Sequence, residues 1–382
     1  MTVVFAFFWR NLGRRALLLL AAAALAGCST IGYYAQAVQG HLALMHAARP
    51  IGDWLRDPAT PAVLKARLEL AQRLRAYAVT ALDLPDNASY HGYADLHRAA
   101  AVWNVAAAPV DSLTLKRWCF PVLGCVGYRG YYDEAAAQAL AAELRAQDGL
   151  EVTVYGVPAY STLGWMNWAG GDPLLNTFLA YPEGELARLL VHELAHQKLY
   201  ARDDTTFNES FATAVERIGG ARWLQLHASD AARREYAAFD SRRADFRALT
   251  RATRKALAEV YDPQAAWAGD SAALQARKAA VMDGFRAQYA ELRTQWGIPP
   301  GQNAPYDRWV ADANNAALGA QGAYDDLVPA FEALFTRLCA GKSDCTDAAR
   351  SDTWQRFYDA VARLAALPQA ERRAQLDALA QQ

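Results

Sequence analysis

Apolar residues recur at helical spacing along most of the chain and with a period of two in one stretch. Between Tyr33 and about Ala100, Val38, Leu42 and Met45 share one face, and Leu64, Leu68, Leu70 and Leu74 repeat at near-helical intervals. Pro50, Pro58 and Pro61 punctuate these predicted helices. From Val102 to Pro182 the pattern changes to short apolar or aromatic runs bounded by Gly and Pro, such as Glu151–Val157, which predict strands. One helix interrupts them over 133–147, with Asp133 placed to cap it. Helical spacing resumes near Pro182-Glu183, and a second helix carries Asn208–Ala212 and ends at Gly219-Gly220. Beyond it, Tyr236, Phe239, Phe246, Leu249, Leu257 and Val260 form one stripe, Asp262-Pro263 breaks it, and Val281, Phe285, Tyr289 and Leu292 form the next. These predict a helical hairpin over 222–296 whose charges are mostly a solvated face. The expected fold is α+β, predominantly α. An N-terminal helical segment (28–100), a core holding a small sheet (101–221) and a C-terminal helical region (222–382) make one unit wrapped by long helices.

Composition supports a globular chain. Of 382 residues, 53% are hydrophobic and 21% charged, which excludes a disordered or fibrous protein. Lys and Arg number 39 against 40 Asp and Glu, so nothing in the charge balance marks a nucleic-acid partner. The N-terminus is of another kind. Arg10, Arg14 and Arg15 precede an unbroken run of Ala and Leu from Ala16 to Leu25, followed by Ala26-Gly27-Cys28. A basic region, a short apolar core and small residues predict an export signal over 1–27. The apolar run is too short to span a bilayer, which needs about twenty residues. The residues before Cys28 resemble the lipobox of bacterial lipoproteins, in which that cysteine is lipidated and becomes the mature N-terminus. Ser29 in place of aspartate then points to the outer membrane, with the protein facing the periplasm. The expected location is therefore the bacterial cell envelope, with a lipid membrane as one partner. Removing 1–27 takes away three arginines and no acids, which leaves a net charge of −4.

Besides Cys28 there are four cysteines, in two local pairs, Cys119 with Cys125 and Cys339 with Cys345. In an oxidising periplasm such pairs read as disulfides, with free buried thiols as the alternative. Neither pair has the CxxC spacing of a zinc ribbon.

The stretch that carries chemistry is Leu189-Leu190-Val191-His192-Glu193-Leu194-Ala195-His196-Gln197. His192 and His196 are four residues apart, so both imidazoles leave one helix face and can share an ion. Glu193 lies about 100° round, close enough to touch a water on that ion. Glu209 follows thirteen residues after His196. An antiparallel second helix would bring it to the histidines as a third ligand. Two histidines and one carboxylate are the ligand set of catalytic zinc sites, which keep a fourth position for water. Glu216, two turns beyond Glu209, is placed either to hold the other nitrogen of a ligating histidine or to sit on the surface.

His192-Glu-Leu-Ala-His196 with Phe207-Asn-Glu209-Ser-Phe-Ala-Thr resembles the glutamate-zincin pattern of zinc peptidases. More narrowly, the chain is similar to the bacterial family known as putative aminopeptidases. Trp118-Cys-Phe-Pro-Val-Leu-Gly-Cys-Val-Gly-Tyr-Arg-Gly-Tyr131, Tyr160-Ser-Thr-Leu-Gly-Trp165 and Asp172-Pro-Leu-Leu-Asn176 share in that resemblance, which runs from about Gly32 to Leu364. It implies a zincin-like core with two metal-bearing helices, one zinc ion on His192, His196 and Glu209, Glu193 as the catalytic base, and a peptide substrate. By analogy with downstream tyrosines of related peptidases, Tyr324 is a candidate donor to the developing oxyanion, with a packed aromatic as the alternative. The stretch Tyr160–Leu179 is expected as a strand beside the metal helix, with Trp165, Trp168 and Gly170-Gly171 lining the cleft. The competing reading is a zinc-binding envelope lipoprotein without turnover, a binding or assembly module. Retention of Glu193, which ligation does not require, favours the enzyme.

Overall fold

The computed structural model describes residues 31–120, 124–159, 161, 162, 164, 167–299, 301–339 and 351–381. The expected signal segment, Cys28, Tyr160, Trp165 and Cys345 lie outside the described residues. The chain divides into two units, Met1–Ala47 and Ala48–Gln382. In the first, residues 31–47 form helix α1. Of the stripe expected to pack there, Val38 and Leu42 are exposed. Among the described residues no helix is long and apolar enough to cross a membrane.

In the second unit, β1 (Arg49–Pro50), α2 (Ile51–Arg56) and α3 (Ala62–Leu82) come first. Helical spacing suggests helix to about Ala100, but α3 stops at Asp83. That residue takes a left-handed conformation (φ 53°) and returns its N–H to Ala78 O. The chain then enters β2 (Gly92–Ala94), which pairs antiparallel with β1 and parallel with β8 (Leu174–Leu175).

The largest sheet joins β3 (Val102–Ala108) antiparallel to both β6 (Arg129–Tyr131) and β7 (Glu151–Val157), with Val102 opposite Val157 and Ala108 opposite Glu151. Between β3 and β6, β4 (Trp118–Phe120) and β5 (Gly124–Val126) make a hairpin. Cys119 and Cys125 face each other across it and are joined by a disulfide. α4 (Glu134–Gln147) begins at Asp133, whose side chain accepts from Ala135 N, and buries Ala137, Ala141 and Leu144. α4 packs on the sheet, and so does α11 (below). β3 is therefore covered on both sides, which explains its run of small buried residues in place of alternation.

After β8, the short α5 (Asn176–Leu179) leads into α6 (Glu183–Lys198), α7 (Thr205–His227), α8 (Asp230–Val260), α9 (Ser271–Gln295), α10 (Asp307–Ala311), α11 (Asn315–Asp325), α12 (Val328–Cys339), α13 (Ser351–Ala365) and α14 (Gln369–Ala380). Helices dominate and the sheets are small, so the fold is α+β and predominantly α. α7 does not end at Gly219-Gly220 but runs eight residues beyond Gly219. These glycines are points of close approach. A Cβ on Gly219 would lie 2.6 Å from Leu82 Cδ1, and one on Gly220 would lie 2.9 Å from Arg188 Cγ.

Two apolar cores can be distinguished, one of them at α7. There its Phe207 and Phe211 meet Phe331 of α12, and Phe211 also meets Phe357 and Tyr358 of α13. The other core lies between α8 and α9, where Phe246, Leu249 and Leu257 meet Met282, Phe285 and Tyr289. The C-terminal region is thus not a separate layer: α11 packs on α7 and on β3.

Candidate metal centre

α6 is buried on nearly every side, with Leu186, Ala187, Leu190, Val191, Leu194 and Ala195 in the core. Pro182 precedes it, and Glu183 and Glu185 stand in its first turn, where the helix dipole favours negative charge. α7 starts at Asp204, whose carboxylate accepts from Phe207 N at 3.1 Å and pairs with buried Arg372 at 2.6 Å. The turn between them is tight, and Asn208 holds it closed. Its Oδ1 accepts from Ala201 N at 2.7 Å and its Nδ2 donates to Ala201 O at 2.8 Å. Cross-contacts run in reverse order along the pair: Glu183 with Trp223, Arg188 with Glu216, His196 with Glu209. The two helices are therefore antiparallel.

This antiparallel pairing brings three donors together. His192 Nε2 is 3.1 Å from His196 Nε2 and 3.3 Å from Glu209 Oε2, and His196 Nε2 is 3.5 Å from that oxygen. Among the described residues this is the one group of three acids, histidines or cysteines that could hold a metal ion. Its side chains are 12, 7 and 11% exposed for His192, His196 and Glu209. The spacing fits an ion. Donors about 2.1 Å from a tetrahedral metal stand about 3.4 Å from one another. The chemistry of the set fits too, since two imidazole nitrogens facing each other and a carboxylate converge where each can give a lone pair.

The charges around the trio act strongly on one another. Burial opposes a charged Glu209, but His196 and His192 outweigh it and bring the carboxyl down to about 2. Glu216 is brought down to about 2 in the same way, against its burial, by Arg188 and His192. Burial likewise opposes a charged His192, and Glu209 and Glu216 overcome it to raise its pKa well above the usual value. Of the two placements open to Glu216, the structure has the buried one. Its Oε2 lies 3.0 Å from His192 Nδ1, and its other oxygen accepts from Arg188. Glu193, one residue on, has its carboxyl raised by burial, with the two histidines opposing and Glu209 and Glu216 adding to the rise.

Tyr324 reaches the site from α11. Its ring stacks on His192 with centroids 6.4 Å apart and planes at 23°. Ser210 of α7 fixes that end of α11 by donating to Ala323 O at 3.1 Å and accepting from Leu327 N at 3.2 Å. Tyr128, Tyr155 and Tyr200, which periodicity does not single out, share its situation. Burial raises all four phenols and the Glu209 charge adds to the rise, Tyr155 and Tyr200 reaching about 12. All four keep their protons at neutral pH.

On the other flank, Gln197 pins two loops to the end of α6. It donates to Asp172 Oδ2 and to Ser89 Oγ, both at 3.2 Å, and accepts from Asn87 Nδ2 at 2.6 Å. Buried Asp172 is raised to about 6 by desolvation, against a hydrogen bond from Thr162 N. Among the described residues of 160–179 the expected long strand is not formed: only Leu174 and Leu175 make a strand, and they pair with β2. Gly170 and Gly171 take positive φ (108° and 69°). A Cβ on Gly171 would lie 2.4 Å from Ser89 N, so this glycine lets the loops touch. Trp168 is 83% exposed. Cys339 is buried in α12, and its expected partner lies outside the described residues.

In comparison with known proteins, the family model described as putative aminopeptidase matches residues 32–376. No curated protein and no solved structure matches the chain.

Proposed function

The chain belongs to the putative aminopeptidase family, and from that premise we propose that it is a zinc-dependent peptidase of the cell envelope. The observation that carries the metal is the mutual spacing of His192, His196 and Glu209, 3.1 to 3.5 Å between ligand atoms on two buried helices. Family membership implies a peptide substrate. When bound, zinc supplies Lewis acidity and lowers the pKa of a water from 15.7 to about 7.

The chain's own residues do the rest. Glu193 is half-buried, and its raised pKa suits a group that must both take and give a proton. It accepts a proton from the attacking water and passes it to the leaving amine nitrogen. The phenol of Tyr324, kept protonated by burial, donates to the carbonyl oxygen as negative charge develops there. Glu216 orients the His192 ring through Nδ1 and is itself held by Arg188. Asn208 closes the turn that sets the distance between the histidines and Glu209.

Lipid attachment at Cys28 rests on the basic, apolar and small-residue pattern that precedes it. A Cys28→Ala chain should leave the membrane fraction. Retention there with unchanged mobility would refute the anchor.

The test of function is Glu193→Gln, assayed for zinc content and for cleavage of a peptide library with free and blocked termini. Full zinc with activity lost by a factor of about 10² to 10⁴ is expected. Full activity would refute the role of Glu193. Full zinc in the wild type with no peptide cleaved would favour the binding or assembly module.

A further inference from the structure

A cavity of about 600 Å³ is lined by Tyr324, whose ring stacks on His192, and its volume is within the range of small-ligand sites. One wall is made by Tyr128, Tyr155 and Tyr324, the phenols that feel the Glu209 charge. Four cations line it as well. Arg251, Arg254 and Lys255 line it from one face of α8, at i, i+3 and i+4, and Arg117 lines it from the loop before β4. Gly319 and Gly322 of α11 complete it. Gly322 makes room for Arg254, because a Cβ there would collide with the guanidinium that reaches across to Asp326 at 2.7 Å.

The charges on these walls do not balance. Each lining aspartate is already engaged: Asp326 with Arg254, Asp204 with Arg372 at 2.6 Å, and Asp203 Oδ1 with Cys125 N at 2.6 Å. Among the described residues Arg117 donates only to carbonyls, Cys125 O at 3.0 Å and Asp203 O at 2.8 Å. Arg251 and Lys255 line the cavity, are exposed, and make no ion pair among the described residues. Three cations therefore border a concave site without a carboxylate of their own, in a mature chain that is acidic overall.

We propose that this cavity is the substrate site, and that its cationic wall receives a carboxylate of the peptide while the tyrosine wall presents the scissile bond to the metal centre. The inference rests on the peptidase reading and narrows its substrates to short peptides carrying a carboxylate, at the C-terminus or on an acidic side chain. A guanidinium and an ammonium on one helix face suit this group because charge-assisted bonds to a carboxylate are about twice as strong as neutral ones. A peptide bound by its carboxylate end needs no acid to hold its ammonium. Among the described residues no acid lining this cavity is free to do so.

The test is binding to the zinc-loaded Glu193→Gln chain, measured by calorimetry so that no turnover is required. Three probes are compared: alanyl-phenylalanyl-glutamate, its C-terminal amide, and the glutamine analogue with a free C-terminus. Loss of affinity by about tenfold or more in one neutralised peptide supports the proposal and identifies which carboxylate is held. Adding Arg251→Gln with Lys255→Gln should abolish the preference, and both sites are exposed, so the fold is kept. Equal affinity for all three peptides, or a preference that survives the double substitution, overturns it. The two readings fail separately. Cleavage by the wild type with one KM for charged and neutral peptides would sink the carboxylate site and keep the peptidase. Tight, charge-dependent binding without cleavage by the wild type would do the reverse.

Discussion

Two antiparallel helix pairs sit in the second unit of this molecule, and they bury opposite kinds of surface. α8 and α9 join through Phe246, Leu249, Leu257, Met282, Phe285 and Tyr289, an apolar seam, and the one charged residue buried on either helix, Lys278, pairs with Glu151 of the sheet. α6 and α7 enclose Arg188, His196, Asn208, Glu209, Ser210 and Glu216 among their apolar residues. An apolar seam holds together by area removed from water, about 25 cal/mol per Å². A buried polar seam gains little net stability, because desolvation offsets most of the attraction. It is retained where the charges have work to do. Every buried charge in the α6–α7 pair has a partner of opposite sign or a role at the metal position, and this separates a site from an ordinary helix packing.

The contrast can be broken most severely at Arg188. Arg188→Ala leaves Glu216 buried with only the His192 ring beside it, which should cost about 3–5 kcal/mol and, through the loosened His192 ring, lower metal affinity by about 10–100-fold. Denaturant unfolding and a zinc titration read the two effects; a stable variant with unchanged affinity would show that Glu216 does not position His192. Phe285→Ala in the apolar seam should cost a similar or slightly smaller amount, about 3–4 kcal/mol. There the refolded protein should keep its zinc content, and joint loss would mean that the two pairs are one cooperative metal-dependent structure.

Asp172 sharpens the comparison further. It is a buried acid held by Gln197 of α6, with neutral hydrogen-bond donors around it, and its folded pKa of about 6 lies above the usual 3.8 of an aspartate. The folded state then holds the proton more tightly than the unfolded one, so stability falls as pH rises from about 4 through 6. Asp172→Asn removes that decline. The stability of the variant relative to wild type should rise by about 2 kcal/mol between pH 4.5 and 7.5, measured by urea unfolding at each pH. A difference that is flat with pH would contradict the buried charge. The smallest effect is expected at Phe239, which belongs to the apolar stripe of α8 in sequence but is 39% exposed. Phe239→Ala should shift stability by no more than about 0.5 kcal/mol.

What could be read from the chain alone was local. His192, Glu193 and His196 follow from a four-residue spacing on one helix, and the α8 and α9 stripes from helical periodicity. Asp133 and the strand Glu151–Val157 are equally local, and stand where the pattern puts them. What escaped depends on contacts distant in sequence. Gly219 and Gly220 look like a helix end, yet they serve the approach of α3 and α6. Asn208 reads as a neutral neighbour of Glu209 until its two bonds to Ala201 are seen. Tyr128 and Tyr155 lie on opposite sides of α4 in the chain and meet at one wall because β3 pairs with both β6 and β7. The expected strand over Tyr160–Leu179 failed for a related reason. Extended structure needs a partner edge, and β2 offers one only to Leu174 and Leu175.

The central claim is that α6 and α7 are held apart at the spacing of a metal ion, and elemental analysis of the purified chain tests it most directly. One zinc per chain is expected in the wild type and in Glu193→Gln, and none in His192→Ala. Less than stoichiometric metal in the wild type after zinc loading, or the same zinc content in His192→Ala, would contradict it.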